Sequence, residues 1–502
     1  MQSVTSKQLE AIWCRNRFQF GTSYHLTDLT MKTTFALFTL MNVVTLMVVA
    51  VSTLHEEAPY DRGSAVIEYP SIEGLTRSDL YRVKVNNRDI WTERFRTSMD
   101  ISKLPDWFIE SYTKVPQEIH QASLSCNGKL QVSIRVPHTI KKASIHPLSR
   151  KIRQYVSGNV LTFSLPGPDK IYVQLDDLPP LFLFANPLEH DSISPDAPGV
   201  HYFGPGVHRP GYITMKDSET VYIAAGAIVY GGIRANRVSN IRVIGRGILD
   251  GGFEFKQMVL VENCKDVLFE GVMIRNGDGW TNTLVNCDGL RYDDVKVRSF
   301  GPGCDGIDPL GSRRVVISDC FLRCTDDCIA IKALAPEHEV DDVQVINNTM
   351  IGFAFSDGVT IGFETNARSV SNITVRNCDV ILARGGSRVE GHSGFSIICD
   401  GPAVISNVLY DNIRVEKSEL KLFELNITDG TKYGVGPPGH IKDITLKDIS
   451  WAHSGPIILK GWDEDHRVQK VTFQNCSIAG KPLDIKNPAM EIGKFVDDVT
   501  VR

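Results

Sequence analysis

The sequence lacks any strong surplus of charge of one sign. It carries 54 Lys and Arg against 59 Asp and Glu, a net charge of −5, and its basic residues form no long stretch. Proteins that bind polyanions usually concentrate Lys and Arg on one surface or in one run. We therefore expect no nucleic-acid partner.

Long hydrophobic runs are also scarce, since the only one lies near the N-terminus. It ends in a small-x-small pattern, Ala-Val-Ser at residues 50–52, which is typical of a secretory signal peptide. We expect a signal peptide over residues 31–52, preceded by a non-native leader over residues 1–30, and a secreted or periplasmic mature protein. An uncleaved membrane anchor is the alternative, although the run is short for a membrane span.

Histidine is missing around the most regularly spaced cysteines of the 11 in the chain. Cys320, Cys324 and Cys328 are evenly spaced beside apolar residues, with no His among them. Cysteines that directly follow Asn are Cys264, Cys287, Cys378 and Cys476. Because Cys can act as a small buried apolar residue, we expect stacked core cysteines and no metal site. One local disulfide remains open, since export permits disulfides.

Amphipathic helical stripes are absent, and β patterns take their place. A chain of 502 residues exceeds the usual size of one domain. Between residues 57 and 200, short segments with alternating apolar residues are separated by polar turns; residues 130–136 are one example. This pattern predicts a β-sandwich domain over residues 57–200, with no catalytic constellation of its own.

Residues 201–502 carry a repeat in which a polar residue or Gly precedes an apolar-x-apolar triplet, at steps of 23 to 36 residues. The first apolar positions are Ile241, Val267, Leu290, Val315, Val343, Ile373, Val408, Ile444 and Val471. Such periods with β-branched cores indicate a stacked solenoid. We predict an all-β chain in which a right-handed parallel β-helix follows the smaller sandwich. The longer steps after Val343 predict inserted loops that wall a groove.

Acidic residues recur at about one repeat. Asp326 lies 21 residues after Asp305, and Asp357 follows 31 residues later. We therefore expect these three side chains to lie above one another on successive coils. Asp327 would reach the same groove only at a corner or bulge, because neighbouring residues of an ideal strand face opposite sides. Burying such close carboxylates is costly, which favours a role in chemistry.

Two segments resemble motifs of one enzyme family. Residues 305–308, Asp-Gly-Ile-Asp, resemble the Asn-Thr-Asp-Gly-x-Asp segment of the polygalacturonase family, glycoside hydrolase family 28. Residues 326–331 resemble its Asp-Asp-Cys-Ile-Ala-Ile segment, and the resemblance extends roughly from Ile241 to Val471. The sandwich followed by a β-helix resembles the arrangement in dextranases of glycoside hydrolase family 49.

The resemblance implies that the protein hydrolyses O-glycosidic bonds of a polysaccharide by single displacement with inversion. By position, Asp326 would be the general acid that protonates the leaving oxygen. Asp305 and Asp327 would activate the attacking water. Crowding by neighbouring carboxylates raises the pKa of a carboxyl group, which suits an acid that must stay protonated.

Two features of the family have no clear counterpart. Its Gly-His-Gly segment corresponds to Ser-Asp-Gly at residues 356–358, and its Arg-x-Lys, which grips the substrate carboxylate, corresponds to Ser396 and Ile398. Losing two charge-assisted contacts of about 1.5–3 kcal/mol each argues against an ordinary polygalacturonate substrate. A neutral α-glucan is the alternative substrate, unless basic residues between positions 384 and 392 compensate.

Further residues near the predicted groove are candidates for substrate binding. These candidates are Asp357, Lys332 and Trp280. Lys332 either pairs with the acids or stays solvated, and Trp280 either stacks on a sugar ring or fills a core. Asp308 is expected to fix a turn. Residues near the groove for which a structural role is expected are Glu364, Tyr433 and Trp462.

Two other function classes remain open. A non-catalytic carbohydrate-binding β-helix would not require the paired acid motifs. A polysaccharide lyase would need Ca²⁺ and a Lys or Arg base near the acids, for which Lys332 is the candidate. We expect a hydrolase without a metal or cofactor. Its partner would be a polysaccharide or oligosaccharide, with no membrane span after signal cleavage.

Overall fold

The structure of the chain, a computed structural model, describes residues 64–97, 99–190, 193–384, 393–429, 431 and 433–502. The predicted leader and signal peptide lie outside these residues, as do Arg388 and His392 from the region expected to compensate for missing cations. Among the described residues, no helix is both long and apolar enough to cross a bilayer.

The described chain begins with two β-sheets that share one apolar core. The first sheet contains Val66–Glu68, Glu118–Cys126, Leu181–Pro187, Asp169–Leu175 and Ala143–His146 in spatial order, with Thr92–Arg96 also paired to Glu118–Cys126. The second contains Arg88–Ile90, Arg82–Val85, Leu130–Arg135, Val160–Leu165 and Gln154–Ser157. Helical segments are Ile101–Lys103, Asp106–Tyr112 and Leu148–Arg150. The predicted sandwich is therefore confirmed.

A right-handed parallel β-helix follows, as predicted, and each coil adds a strand to three ladders. Ladder A contains Val200–Phe203, Thr220–Ile223, Ser239–Gly245, Lys265–Glu270, Asp288–Asp293, Arg313–Ser318, Asp341–Ile346, Ser369–Arg376, Val404–Asp411, His440–Lys447, Val468–Gln474 and Val496–Val501. Ladder B contains Ile248–Asp250, Met273–Arg275, Lys296–Arg298, Phe321–Cys324, Thr349–Gly352, Asp379–Leu382, Arg414–Val415, Ser450–Trp451 and Ser477–Ile478. Lys481–Pro482 pairs antiparallel with the last of these strands.

Ladder C carries the face on which the acids lie. Its strands are Val259–Glu262, Asn282–Val285, Ile307–Leu310, Ile329–Ala333, Val359–Thr365, Ser393–Cys399, Lys421–Ile427, Ile457–Lys460 and Met490–Ile492. Two long strands at the N-terminal end, Gly206–Thr214 and Ala227–Asn236, pair with each other before the ladders separate. Ala227–Asn236 then pairs with the first strands of both ladders B and C.

The nine predicted repeat positions stack in ladder A without a single slip. Each is paired with the next, from Ile241 opposite Val267 to Ile444 opposite Val471. All nine are buried, so the apolar-x-apolar pattern marks the inward positions of every coil. Neighbouring coils are therefore one strand spacing apart, about 4.8 Å.

The polar residue before each repeat position has a backbone reason. At all nine places this residue has a positive φ, between 50° and 82°. The left-handed region is strained for most side chains but accessible to Gly, Asn and Asp. The residues are Asn240, Asp266, Gly289, Arg314, Asp342, Asn372, Asn407, Asp443 and Lys470. The polar half of the repeat is thus a turn requirement, and the apolar half is core.

The same explanation accounts for the Asn-Cys pairs. The four Asn residues have φ between 48° and 55°, and at two of them the side chains stack, with Asn286 Nδ2 donating to Asn263 Oδ1 at 2.8 Å. The cysteines that follow point inward. All ten described cysteines are buried and none forms a disulfide, so the expectation of core cysteines is confirmed for them.

The sandwich packs on the ladder B side of the β-helix through an aromatic core. Phe182 and Phe184 of the sandwich lie 5.6 and 5.3 Å, centroid to centroid, from Phe321 of ladder B. A buried ion-pair network crosses the same contact. The Arg275 guanidinium lies 2.8 Å from Glu93 of the sandwich and 2.6 Å from Asp250 of the preceding coil.

The Arg275 network gives a stability prediction. Arg275→Met would leave the Glu93 and Asp250 carboxylates buried without their cation, and we expect the free energy of unfolding to fall by about 3–5 kcal/mol. Chemical denaturation measures this. Arg291→Met is the matched control, because Arg291 is 61 % exposed and 2.7 Å from Asp293; it should cost less than about 1 kcal/mol. Equal losses in the two variants would contradict the role of burial.

Candidate active site

The corner between ladders B and C aligns one residue from each of four coils. Ladder C pairs Asn282 with Ile307, Ile307 with Ile329, and Ile329 with Val359. The residues two positions before these strand starts are Trp280, Asp305, Asp327 and Asp357. Hydrogen bonds continue this register into the corner, since Gly306 N–H donates to Asp327 O at 2.8 Å and Cys328 N–H to Asp357 O at 3.0 Å.

The acid column therefore differs from the one expected. Asp327, and not Asp326, lies between Asp305 and Asp357, so the expected alignment of Asp326 is wrong by one residue. The strand register pairs Ile307 with Ile329. The residue equivalent to Asp305 on the next coil is therefore Asp327, one residue later than Asp326. Both members of the pair lie in the bend between Phe321–Cys324 and Ile329–Ala333, which is the corner position required for both to reach one groove.

Backbone groups hold the two adjacent carboxylates in place. Asp326 accepts hydrogen bonds from Gly303 N–H and Asp327 N–H, both at 3.1 Å, and Asp327 accepts one from Asp357 N–H at 2.8 Å. Burial, and then the Asp305 carboxylate, raise the pKa of Asp326 well above its ordinary value against these donors. Burial, together with Asp357 and Asp305, raises the pKa of Asp327 in the same way.

Lys332 lies at the centre of the acidic cluster. Its Nζ is 3.4 Å from Asp305 Oδ2, 3.1 Å from Glu364 Oε2 and 4.7 Å from the centre of the Trp280 ring. Burial lowers the pKa of Lys332, but the two carboxylates outweigh burial and raise it well above its ordinary value. The expected pairing of Lys332 with the acids is thus confirmed, and Glu364, for which only a structural role was expected, belongs to the same cluster.

Asp308 is a further acid of this cluster. It lies in strand Ile307–Leu310 and not in a turn, so the turn-fixing role expected for it is wrong. Asp308 is fully buried, and among the described residues neither carboxylate oxygen meets a hydrogen-bond partner. Burial and the nearby Asp305 charge raise its pKa well above the ordinary value. In the sequence, only its place in the Asp-Gly-x-Asp segment indicates that Asp308 belongs to the acid cluster.

Asp357 faces protein groups of the following coil. Its carboxylate accepts hydrogen bonds from Ser393 N–H and the Ser396 hydroxyl, and Ser396 also contacts the Thr360 hydroxyl at 2.8 Å. Burial raises the pKa of Asp357 to about 7, against these donors, which lower it. Asp357 is 1 % exposed. Its carboxylate therefore bonds to the protein and connects its own coil, next to Asp327, with the following one.

Two further basic groups among the described residues near the cluster, Lys421 and Arg384, are paired with carboxylates. Lys421 forms a buried ion pair with Glu424. The Arg384 Nε lies 2.9 Å from Glu419, and its Nη1 donates to the Lys114 carbonyl at 2.9 Å. Arg384 is therefore held between the β-helix and the sandwich. Ile398, at the other position compared with the Arg-x-Lys of the family, is fully buried.

The sandwich contributes Tyr112, which packs against the coils on either side of the acid pair and which the sequence did not reveal as part of the site. Tyr112 packs edge-on against Phe300 at 5.7 Å and also contacts Phe355, on the coils before and after the acid pair. Burial, followed by the charge of Asp326, raises the pKa of the Tyr112 hydroxyl. Among the described residues, no group of three or more His, Cys, Asp or Glu side chains is arranged to hold a metal ion.

Known proteins are similar to parts of this chain in sequence and to most of it in fold. The endo-polygalacturonase of Pectobacterium carotovorum subsp. carotovorum is 27 % identical over 217 residues, which are 43 % of this chain and 48 % of that protein. Exopolygalacturonase B of Aspergillus niger is 23 % identical over 251 residues, which cover 43 % of this chain and 54 % of the relative. The chain thus spans about half the length of these curated relatives.

Among solved structures, Dex49A from Penicillium minioluteum matches 87 % of this chain and 96 % of its own, with a TM-score of 0.58 and 15 % identity. That match supports the predicted similarity to family 49 dextranases at the level of the fold. The family model described as glycosyl hydrolases family 28 matches residues 232–493, more than half of the sequence and the coils that carry the acid cluster. The chain belongs to glycosyl hydrolase family 28.

Proposed function

We propose that this protein is a secreted glycoside hydrolase that cleaves O-glycosidic bonds of a neutral polysaccharide with inversion of configuration. The observation that carries the proposal is the convergence of Asp305, Asp326 and Asp327 at one corner of two successive coils. Membership of the family supports glycoside hydrolysis as the reaction. The substrate class, the stereochemistry and the roles of the residues are our inference.

Asp326 is the general acid in this proposal. It is less buried than its two neighbours, so it can reach the leaving oxygen, and its raised pKa keeps a proton where an isolated Asp would have lost it. The Lys332 ammonium lies 3.4 Å from Asp305 Oδ2, on the coil before that of Asp326.

Asp305 and Asp327 are proposed to activate the water. They occupy the same column on neighbouring coils, and an inverting enzyme needs a gap of about 6.5–9.5 Å between acid and base to admit water. A single displacement then transfers one proton from Asp326 to the leaving oxygen. The water loses one proton to the base, and its oxygen bonds to the anomeric carbon from the opposite face.

The charges around the cluster support a neutral substrate. Lys332, Lys421 and Arg384 each form an ion pair with a glutamate. The Ser396 hydroxyl occupies the position compared with the family's arginine and is engaged by Asp357. A uronate carboxylate would therefore have to compete with ion pairs already formed, and its charge would be repelled by the acids. A neutral sugar meets neither obstacle.

Export is inferred from sequence alone, from the signal-like segment at residues 31–52. Sequencing the N-terminus of the native protein tests this inference. We expect a start at Thr53, and a native protein that retains residues 31–52 would contradict it.

The hydrolytic proposal predicts the effect of removing the acid. We expect new reducing ends from dextran, pullulan or xylan but not from polygalacturonate or rhamnogalacturonan. Asp326→Asn should lower this turnover by at least about 100-fold, because general acid catalysis contributes on the order of 10²–10⁴, without changing the free energy of unfolding. Asp342→Asn is the control, since Asp342 is exposed on ladder A and Asn suits its φ of 52°. Wild-type rates in Asp326→Asn would refute the assignment.

The Lys332 cluster predicts opposite shifts in the pH dependence of hydrolysis. Glu364→Gln removes a negative charge near the acids, so the remaining carboxyls ionise more easily and both limbs of the pH–rate profile should move to lower pH. Lys332→Met removes the positive charge, so both limbs should move to higher pH, each by on the order of one unit. Profiles of kcat/KM measure both shifts. Shifts in the same direction, or none, would contradict the charge arrangement.

A further inference from the structure

Three arginines follow one another in register on ladder B, in the contact with the sandwich. Arg275 is paired with Arg298, and Arg298 with Arg323, on successive coils, and all three are buried. The Arg298 guanidinium lies 3.9 Å from the centre of the Phe95 ring, and Arg323 Nη2 donates to Pro116 O at 2.8 Å. We call these residues the arginine column. Because like charges on neighbouring coils repel each other, the column requires negative charge nearby.

The carboxylates that face the column are bonded to Arg275. Glu93 accepts hydrogen bonds from Arg275 Nη1 on both of its oxygens, at 2.9 and 2.8 Å. Asp250 Oδ2 accepts from Arg275 Nε at 2.6 Å, while its Oδ1 accepts from Asn276 Nδ2 at 3.0 Å and from Gly252 N–H at 2.8 Å. Two carboxylates thus face three arginines, which leaves one positive charge unbalanced.

Arg298 carries that charge without a hydrogen-bond acceptor. It is 6 % exposed, and among the described residues its Nε, Nη1 and Nη2 atoms meet no hydrogen-bond partner. The Phe95 ring covers one face of the guanidinium, but the N–H groups point outward in the guanidinium plane. Burial, followed by the Arg275 charge, lowers the pKa of Arg298 to about 9, so the group is still a cation at neutral pH. A buried cation without an anion is costly.

A cavity of about 10 Å³ lies beside Arg298. That volume is enough for about one water-sized group. The aromatic walls of the cavity are Phe182, Phe184 and Phe321, which offer no hydrogen-bond acceptor. A water molecule there would accept a hydrogen bond from the guanidinium but would leave the charge unbalanced.

The polar groups around the cavity are mainly donors. Arg323 also lines it, and the Arg323 Nε meets no hydrogen-bond partner among the described residues. Gln121 Nε2 donates one N–H to Ser123 Oγ at 3.4 Å, which leaves its second N–H for another acceptor. Lys296 lines the cavity as well, and its Nζ is 2.7 Å from the Asp294 carbonyl oxygen. Donors and positive charge around a small space favour an anion.

We propose that one small monovalent inorganic anion, such as chloride, binds Arg298 in this cavity and joins the sandwich to the β-helix. One negative charge balances the arginine column, and a monatomic ion matches a space of this size. The anion would accept hydrogen bonds from the guanidinium of Arg298 on the β-helix and from the Gln121 amide on the sandwich. Bound in this way, it stabilises the contact between the two domains.

Thermal unfolding of the purified protein in sodium chloride and in sodium methanesulfonate, at equal ionic strength, tests the site. Methanesulfonate is too large for the cavity, so replacing it with chloride should raise the midpoint of unfolding by about 1–3 °C along a saturating curve. Arg298→Met should abolish this rise, because it removes both the donors and the charge. Arg291→Met is the matched control and should keep the rise, since Arg291 is exposed on ladder A.

Bromide gives a second readout that needs no variant, because it can replace chloride and scatters anomalously. In crystals of the wild-type protein soaked in sodium bromide, we expect an anomalous peak within hydrogen-bond distance of the Arg298 guanidinium. Equal midpoints of the wild-type protein in the two salts would overturn the proposal. So would an undiminished chloride rise in Arg298→Met, or an anomalous map without a peak at Arg298.

Discussion

The pairing of backbone N–H and C=O groups along ladder C determines where the acidic side chains lie. Because the strands at Ile307, Ile329 and Val359 are in register, the corner residues before them are stacked at intervals of about 4.8 Å. No loop has to fold correctly for Asp305 and Asp327 to approach each other. The site results from the regular stacking of coils. The bulge in ladder C at residues 362–364 and Tyr112 of the sandwich are its two irregular additions.

The electrostatics of the cluster follow from that geometry. Asp305, Asp308, Asp326, Asp327 and Glu364 surround Lys332, and all but Asp326 are buried. One cation cannot neutralise five carboxylates, so the cluster retains protons. This property would be a liability in a structural core, but it is what a general acid needs near neutral pH. Lys332 lies against the carboxylate of Asp305, which is one of the two groups proposed to activate the water.

Regular features could be predicted from the sequence, and irregular ones could not. All nine ladder A positions could be predicted because two requirements recur on every coil. The core requires an apolar residue at the inward position, and the turn before it requires a residue that adopts a positive φ. The acid column was misplaced by one residue because coil length at a corner has no apolar signal. The bulge at residues 362–364 and the position of Tyr112 depend on contacts between distant segments, so no local pattern reports them.

The anomeric form of the first sugar released decides whether the three corner aspartates form a single-displacement site. Proton NMR can follow it during cleavage of whichever panel polysaccharide the protein hydrolyses, before mutarotation equilibrates the product. With a single displacement, we expect the new reducing end to have the configuration opposite to that of the bond cleaved. A product that retains the configuration would require a covalent intermediate and would rule out a single displacement.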